Sequence, residues 1–169
     1  MAGGPVVLQV EQVIGVDAAR LRALRLSALS GDPEGFGSTL ERDLARAPSF
    51  WAEWARASEV GEEQRTFVLV DAAAGQDGDW VGLAMARIVP ERPGEAELLS
   101  MWVAPAVRGG GAAELLCDAC AAWTRSRGVA TLVLAVYAAN GRARRAYEKC
   151  GFSLDGDDAG ELLRMVRAA

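Results

Sequence analysis

Hydrophobic residues recur along this chain with two periods, one typical of helices and one typical of strands. Between Asp17 and Ser30, and again from Leu40 to Trp54, apolar residues return every three or four positions, as in a helix with one buried face. Pro48 is expected to break or restart the second of these helices. Four helices are predicted in all, over residues 17–30, 38–54, 110–127 and 140–150.

Seven shorter runs of apolar or alternating residues, bounded by turn-forming residues, predict strands. The run over 131–137 is almost entirely apolar, which is typical of a buried central strand. The predicted strands cover residues 6–10, 66–70, 80–89, 95–103, 131–137, 152–154 and 161–167. The resulting order, β-α-α-β-β-β-α-β-α-β-β, predicts an α/β (α+β) fold with a mixed sheet, because hairpins pair strands antiparallel and βα crossovers pair them parallel.

The length of 169 residues fits a single domain over 1–169, and the composition, 51% hydrophobic and 24% charged, is that of a globular protein. The longest uncharged apolar run, Val129 to Ala139, is too short to span a bilayer. No secretory signal follows Met1, so a cytoplasmic location is expected. A net charge of −5 argues against binding to nucleic acid, which favours basic surfaces.

The chain contains no histidine, which excludes catalytic sites of the Ser-His-Asp and Cys-His kinds and zinc sites built with histidine. Its three cysteines are Cys117, Cys120 and Cys150. The spacing of the first two also occurs in metal and redox motifs, but both fall inside an amphipathic helix and no second pair follows. We therefore predict buried, reduced thiols and no metal site.

The predicted strand over 95–103 leads to Arg108 and three glycines, and a predicted helix follows. Glycine lets backbone N–H groups approach an anion, the first turn of a helix offers unpaired N–H groups, and arginine adds a positive charge. The turn is therefore either a pyrophosphate-binding site or a flexible loop before an ordinary helix. A P-loop needs Lys-Ser or Lys-Thr after its last glycine, where this chain has Ala112 and Ala113. The dinucleotide-binding glycine pattern fits three adjacent glycines poorly.

Two motifs narrow this choice. Arg108-x-x-Gly111-x-Ala113 resembles the Arg/Gln-x-x-Gly-x-Gly/Ala signature with which the Gcn5-related N-acetyltransferase (GNAT) superfamily binds the pyrophosphate of acetyl-coenzyme A. The segment 140–152 resembles the family's later motif, Asn-x-x-Ala-x-x-x-Tyr-Glu-Lys-x-Gly-Phe, with Cys150 where leucine is usual. One predicted helix and one predicted strand separate the motifs, as in the family. The close resemblance covers residues 95–154.

The resemblance implies a mixed, strongly twisted, seven-stranded sheet with helices on both faces, and acetyl-coenzyme A as the cosubstrate. In the family, the strand before the glycine turn and the strand after its helix separate, and the pantetheine arm enters between them. Here that opening is expected between 99–103 and 132–137. The residues expected to bind the cosubstrate, mainly through backbone groups, are Met101, Trp102, Val103, Arg108, Gly109, Gly110, Gly111, Ala112, Ala113 and Asn140.

The later motif also supplies a candidate general acid. Asn140 and Tyr147 are seven residues apart, almost two helical turns, so they lie on one helix face roughly 10 Å apart. A tyrosine with a pKa of about 10 is protonated at neutral pH and can give its proton to a leaving thiolate, whose acid has a pKa of about 8.5. Tyr147 is thus the candidate acid, or else a core residue beside Ala143 and Ala146. Asn140 is a helix cap, a cosubstrate ligand, or both.

The candidate general base is Glu97. Alternation along the strand puts Glu97, Leu99, Met101 and Val103 on one face. A carboxylate at this position is the base in some relatives, often through a water molecule, and desolvation is expected to raise its pKa toward the useful range. The alternative is a strand-end glutamate in solvent, like Glu95, and many relatives use no strong base.

In the family, the first two helices, their loop and the last hairpin bind the acceptor. Here the first two helices and their loop contribute the aromatic residues Phe36, Phe50, Trp51 and Trp54 and the acidic residues Glu34, Glu41, Asp43 and Glu53. Together these side chains suit a cationic amine, or they form a helix with an apolar core face and a solvated acidic face. Small amines and the N-terminus or lysine of a protein all fit this description.

The sequence therefore predicts an acetyl-coenzyme A-dependent N-acetyltransferase that moves the acetyl group directly to a primary amine. The first alternative is a non-catalytic acyl-coenzyme A-binding or sensor module, in which Tyr147 and Glu97 serve only in packing. The second alternative is an unrelated nucleotide-binding protein. A homodimer is compatible with the pattern, since relatives are often dimers.

Overall fold

Seven strands form one mixed sheet in the computed structural model of the chain, which describes residues 6–74, 77–157 and 159–169. The strands are β1 Leu8–Gln12, β2 Gln64–Asp71, β3 Asp79–Ile88, β4 Glu95–Val103, β5 Thr131–Tyr137, β6 Ser153–Leu154 and β7 Leu162–Ala168. The helices are α1 Ala18–Gly31, α2 Leu40–Leu44, α3 Pro48–Val60, α4 Ala112–Ser126 and α5 Gly141–Lys149. The order across the sheet is β1-β2-β3-β4-β5-β7-β6, which confirms the predicted fold.

Local sequence signals set the main helix boundaries. Pro48 divides the second predicted helix into α2 and α3, because the first position of a helix tolerates a residue without an N–H group. The Thr39 side chain caps α2 by accepting a hydrogen bond from the N–H of Arg42 (3.2 Å). None of the described helices is long and apolar enough to cross a membrane.

The sheet separates two hydrophobic cores. On one face, α4 and α5 pack against the strands, with Leu116 and Cys120 fully buried. On the other face, α1 and α3 contribute Leu21 and Ala55. All three cysteines are buried free thiols, which confirms the prediction that they behave as small hydrophobic residues.

The edges of β4 and β5 separate partway along the sheet. Their parallel pairing joins only Glu95–Glu97 to Thr131–Val133, although β4 continues to Val103 and β5 to Tyr137. β5 remains paired with β7 on its other edge along its whole length. The predicted opening between the two strands is therefore confirmed, and backbone groups without a strand partner in the described sheet border it.

A β-bulge at Ser100 shifts the register of β4 just where this opening begins. Met85 of β3 lies opposite Leu99, and Leu83 lies opposite Trp102. Between these two pairs β4 advances by three residues and β3 by two, so β4 contains one extra residue. Ser100 has a φ of 56°, the one non-glycine residue with positive φ in the described part of the chain. The bulge reverses the alternation of side chains beyond it.

The bulge corrects a prediction about four side chains, which are Glu97, Leu99, Met101 and Val103. Ala96 and Leu98, before the bulge, belong to the same core as Val103, after it. Glu97 lies between Ala96 and Leu98, so it faces the opposite side of the sheet from Val103. The prediction that all four share one face is therefore wrong, because it assumed unbroken alternation.

Candidate active site

The glycine turn lies at the end of the opening, between β4 and α4. Gly109 and Gly111 have φ angles of 84° and 85°, a backbone region that favours glycine, and a Cβ at any of the three glycines would meet no atom within 4 Å. The Gly111 carbonyl accepts a hydrogen bond from the N–H of Leu115 (3.1 Å) at the start of α4. The N–H groups of residues 112–114 therefore come before the first hydrogen bond of the helix. Open space and outward N–H donors are what a diphosphate requires.

Arg108 is folded back against the end of β4 rather than extended from the turn. Its Nε donates to the Val103 carbonyl oxygen (2.8 Å), one of the backbone groups predicted to border the pantetheine arm. Its Nη2 donates to the Asp32 carboxylate (2.5 Å), and the side chain is 29% exposed. The predicted positive charge beside the turn is therefore present, but in this structure it is paired with an acidic side chain.

Asp32, in the loop after α1, receives hydrogen bonds from three separate elements. Its Oδ2 accepts from the Trp102 indole Nε1 (2.8 Å) and from Arg108, and its Oδ1 accepts from Arg142 Nη2 (2.8 Å). Partial burial alone would raise the pKa of Asp32, but the hydrogen bonds from Arg142, Trp102 and Arg108 outweigh it and lower the pKa to about 2. The carboxylate is therefore charged at any physiological pH.

The sequence pattern around Asp32 predicts only the end of a helix, so this residue was missed as a site residue. Its partners lie 70 to 110 positions further along the chain. No local signal connects residues so far apart. Arg142 is 59% exposed, and its hydrogen bond to Asp32 joins α5 to the loop after α1.

Two neighbouring cavities open beside the start of α5. One has a volume of about 360 Å³ and is bordered by Asp32 and the loop after it; the other has a volume of about 790 Å³ and extends to Tyr137 and Glu161. Glu34, Asn140 and Arg142 line both. Asn140 caps α5, since its Oδ1 accepts a hydrogen bond from the Ala143 N–H (3.1 Å). Its role as a cosubstrate ligand stays a prediction.

Tyr147 is half-buried on the α5 side of the sheet. Its ring packs edge-on against Phe152, with centroids 5.9 Å apart, beside the core that contains Cys117 and Cys150. Burial, and secondarily the nearby thiol groups of these two cysteines, raises the pKa of the Tyr147 phenol. The phenol therefore holds its proton at neutral pH, as a general acid must, although packing alone would produce the same shift.

Glu97 has an environment different from the one predicted. It is half-buried, and its two carboxylate oxygens accept hydrogen bonds from Arg87 (2.9 Å) and Arg92 (2.6 Å). Burial by itself would raise its pKa, but the two arginines outweigh burial and lower it. The expected upward shift of the pKa is therefore wrong. The alternative of a strand-end glutamate in solvent agrees with its partial exposure, although two arginines hold the carboxylate. The role of Glu97 as a base stays a prediction.

Four of the eight aromatic and acidic residues named as acceptor candidates, Phe50, Trp51, Trp54 and Asp43, are engaged in contacts with other side chains of this region. Phe50, Trp51 and Trp54 contact one another at centroid distances of 5.1 to 6.0 Å, and Trp51 is 2% exposed. Asp43 is buried and pairs with Arg25 (3.1 Å). The carboxylates at the cavities are those of Asp32, Glu34 and Glu161.

Comparison with known proteins agrees with this geometry. Residues 28–152 match the model of the acetyltransferase (GNAT) family. No curated protein sequence matches the chain.

Solved structures share its fold. An acetyltransferase of the GNAT family from Streptococcus pneumoniae superposes with a TM-score of 0.76 and 18% identity, covering 96% of this chain and 100% of that one. The PaiA N-acetyltransferase from Thermoplasma acidophilum, in complex with coenzyme A, has a TM-score of 0.72 and 14% identity over 96% of this chain and 99% of that one. The spermidine N-acetyltransferase from Vibrio cholerae, in complex with coenzyme A and spermine, has a TM-score of 0.68 and 20% identity over 95% of each chain.

Proposed function

The chain belongs to the GNAT acetyltransferase family, and from that premise we propose that it transfers the acetyl group of acetyl-coenzyme A directly to a primary amine. One observation carries the proposal: the opening between β4 and β5, bordered by backbone groups that have no strand partner in the described sheet, leads to the N–H donors at the start of α4. An extended arm that ends in a diphosphate has the shape and hydrogen-bonding groups that this path accommodates.

The residues around the path fit such a cosubstrate. Backbone groups of Met101 and Val103, on either side of Trp102, lie on the edge of β4 away from β3 and would bind the pantetheine arm. The N–H groups of residues 109–113 would bind the diphosphate, with the Arg108 guanidinium nearby. The amide nitrogen of Asn140 is a further candidate donor, since only its oxygen is used in capping α5.

When bound, acetyl-coenzyme A supplies an acyl group activated as a thioester. Tyr147 would give its phenolic proton to the sulfur as the C–S bond breaks and the amine nitrogen bonds to the acyl carbon. The proton lost by the amine then returns the phenol to its neutral form through solvent. The raised pKa of Tyr147 keeps the acid form populated well above neutral pH.

A cationic amine is the class of acceptor that the cavities favour. The carboxylates of Glu34 and Glu161 border the space next to α5, beside Asp32 with its two arginine partners, and Tyr137 adds a half-exposed aromatic surface. Carboxylates and aromatic faces both attract ammonium groups. A small amine and the N-terminus or a lysine of a protein both satisfy this chemistry.

An assay of free thiol release tests the proposal. Purified protein is incubated with acetyl-coenzyme A and a panel of amines, and the melting temperature is measured with coenzyme A, ATP or NAD, because a ligand stabilises the folded state that binds it. We expect coenzyme A alone among the three to raise the melting temperature, and at least one amine to release thiol.

Stabilisation by coenzyme A without thiol release for any amine would instead identify a non-catalytic binding module. Stabilisation by ATP or NAD and not by coenzyme A would contradict both.

A further inference from the structure

Asp32 is the point at which the loop after α1 meets both segments predicted to bind the cosubstrate. Its side chain is only 18% exposed, and both of its carboxylate oxygens are engaged. One of the arginines it binds, Arg108, belongs to the glycine turn, and the other, Arg142, lies in the first turn of α5. The same carboxylate also borders the smaller cavity beside α5.

The charges of Asp32, Arg108 and Arg142 do not balance, and this favours replacement of the carboxylate by a diphosphate as the partner of the two arginines. One carboxylate neutralises two guanidinium groups, so the cluster of three charged side chains retains one positive charge. A diphosphate carries more negative charge than a carboxylate and offers more acceptor oxygens to the planar arginine fork. Arg142 is 59% exposed, so its guanidinium is accessible to a ligand that approaches from solvent.

We propose that Asp32 couples the two substrates: it holds Arg108 and Arg142 until the cosubstrate's diphosphate takes these guanidinium groups, and its carboxylate then binds a cationic group of the acceptor. This inference rests on the proposed function, because it requires the diphosphate at the glycine turn. Before the exchange, Asp32 already has three donors and gains little from a cation. Once the diphosphate has taken both guanidinium groups, the carboxylate keeps only the hydrogen bond from the Trp102 N–H among these three. A partly buried carboxylate in that state is stabilised by a new cationic partner.

The acceptor group bound by Asp32 is a second amino group, separate from the amine that reacts. The reacting amine must lose a proton to expose its lone pair, whereas a carboxylate partner stabilises the protonated form. Glu34 lies in the same loop and lines both cavities, so the negative surface extends from Asp32 along the space that a longer cation would occupy. Diamines and larger amines with spaced ammonium groups therefore match the site better than monoamines.

Calorimetry with coenzyme A, which carries no acetyl group to transfer, tests the coupling without turnover. In the unmodified protein, 1,4-diaminobutane is expected to tighten coenzyme A binding about fivefold, and butylamine to leave it unchanged. In Asp32→Asn, coenzyme A is expected to bind about fivefold more tightly without any amine, because the carboxylate that competes for the arginines is gone. Adding the diamine should then leave the coenzyme A affinity of this variant unchanged. Asp118→Asn, which removes a carboxylate that pairs with Arg167 and lines neither cavity, is the matched control and is expected to leave coenzyme A binding unchanged.

Weaker or unchanged coenzyme A binding in Asp32→Asn would overturn the inference. If the carboxylate only positioned the arginines, its removal would lower the affinity for coenzyme A. No heat of binding in the unmodified protein would remove the proposed function itself, and the inference with it. If Asp32→Asn does not fold, Arg142→Gln replaces it: this change on an exposed side chain frees one Asp32 oxygen, so the diamine should bind without coenzyme A. Failure of that binding also overturns the inference.

Discussion

Two carboxylates in this molecule are each bound by two arginines, yet they lie in different settings. Glu97 on β4 pairs with Arg87 and Arg92, which belong to the neighbouring strand and the turn that joins it to β4. Asp32 pairs with arginines from two distant segments, the glycine turn and α5. Two arginine partners around a carboxylate therefore do not by themselves identify a functional site. The two carboxylates are distinguished by the elements of the fold that supply those arginines.

The two clusters also differ in what a ligand could change. The partners of Glu97 come from one hairpin whose strands are already paired, so its cluster is fixed by the same hydrogen bonds that build the sheet. The partners of Asp32 come from separate segments of the chain, and Asp32 and Arg142 border an open cavity. A bound anion could therefore rearrange the second cluster without disturbing the sheet.

The largest effect is expected at the chemical step. Tyr147→Phe should lower kcat about 100-fold with little change in coenzyme A affinity, because it removes the proton donor and keeps the ring that packs on Phe152. Glu97→Gln should lower kcat less than tenfold, since a carboxylate held by two arginines is a weak base at neutral pH. Steady-state kinetics with the best amine measures both.

Glu95→Gln serves as the control for Glu97→Gln, because Glu95 also loses ion pairs on the same strand, with Arg92 and Arg164. A loss in Glu97→Gln as large as that in Tyr147→Phe would make Glu97 the base and erase the contrast between the two carboxylates. Equal kcat in Tyr147→Phe and the unmodified protein would remove Tyr147 as the acid.

A smaller effect is expected on cosubstrate binding. Arg108→Ala should weaken coenzyme A binding about tenfold, the size of one charge-assisted hydrogen bond, whereas Arg92→Ala should change it less than twofold. Calorimetry compares the two variants directly. Equal losses in both would show that general surface charge, and not the position of the arginine, governs affinity.

The smallest effect is expected on the melting temperature at low pH. Because the folded-state pKa of Asp32 is about 2, below its ordinary value of 3.8, its ion pairs stabilise the fold above the ordinary pKa and are lost as the pH falls toward 2. Asp32→Asn should therefore flatten the fall in melting temperature between about pH 4 and pH 2, by about 2 °C. Scanning calorimetry at several pH values measures this slope, and a slope identical to that of the unmodified protein would contradict the assigned contacts.

How well the sequence predicted each part depended on how far apart the interacting residues are. The order of strands and helices, the bounds of β4 and β5 and the Asn140 cap follow from patterns within a few neighbouring residues, and the structure confirms them. The face of Glu97 was wrong because the bulge at Ser100 depends on pairing with β3, which alternation along one strand does not reveal.

By itself, the sequence determined the elements, the glycine turn and the motif that carries Tyr147, because periodicity, capping and positive φ act between near neighbours. Only the tertiary structure decided that the register of β4 shifts at Ser100, and that Asp32 meets two arginines from distant segments. The physical reason is that ion pairs and strand registers form where folding brings segments together. The identity of a charged partner is then fixed by the packing of whole elements, and no local pattern encodes it.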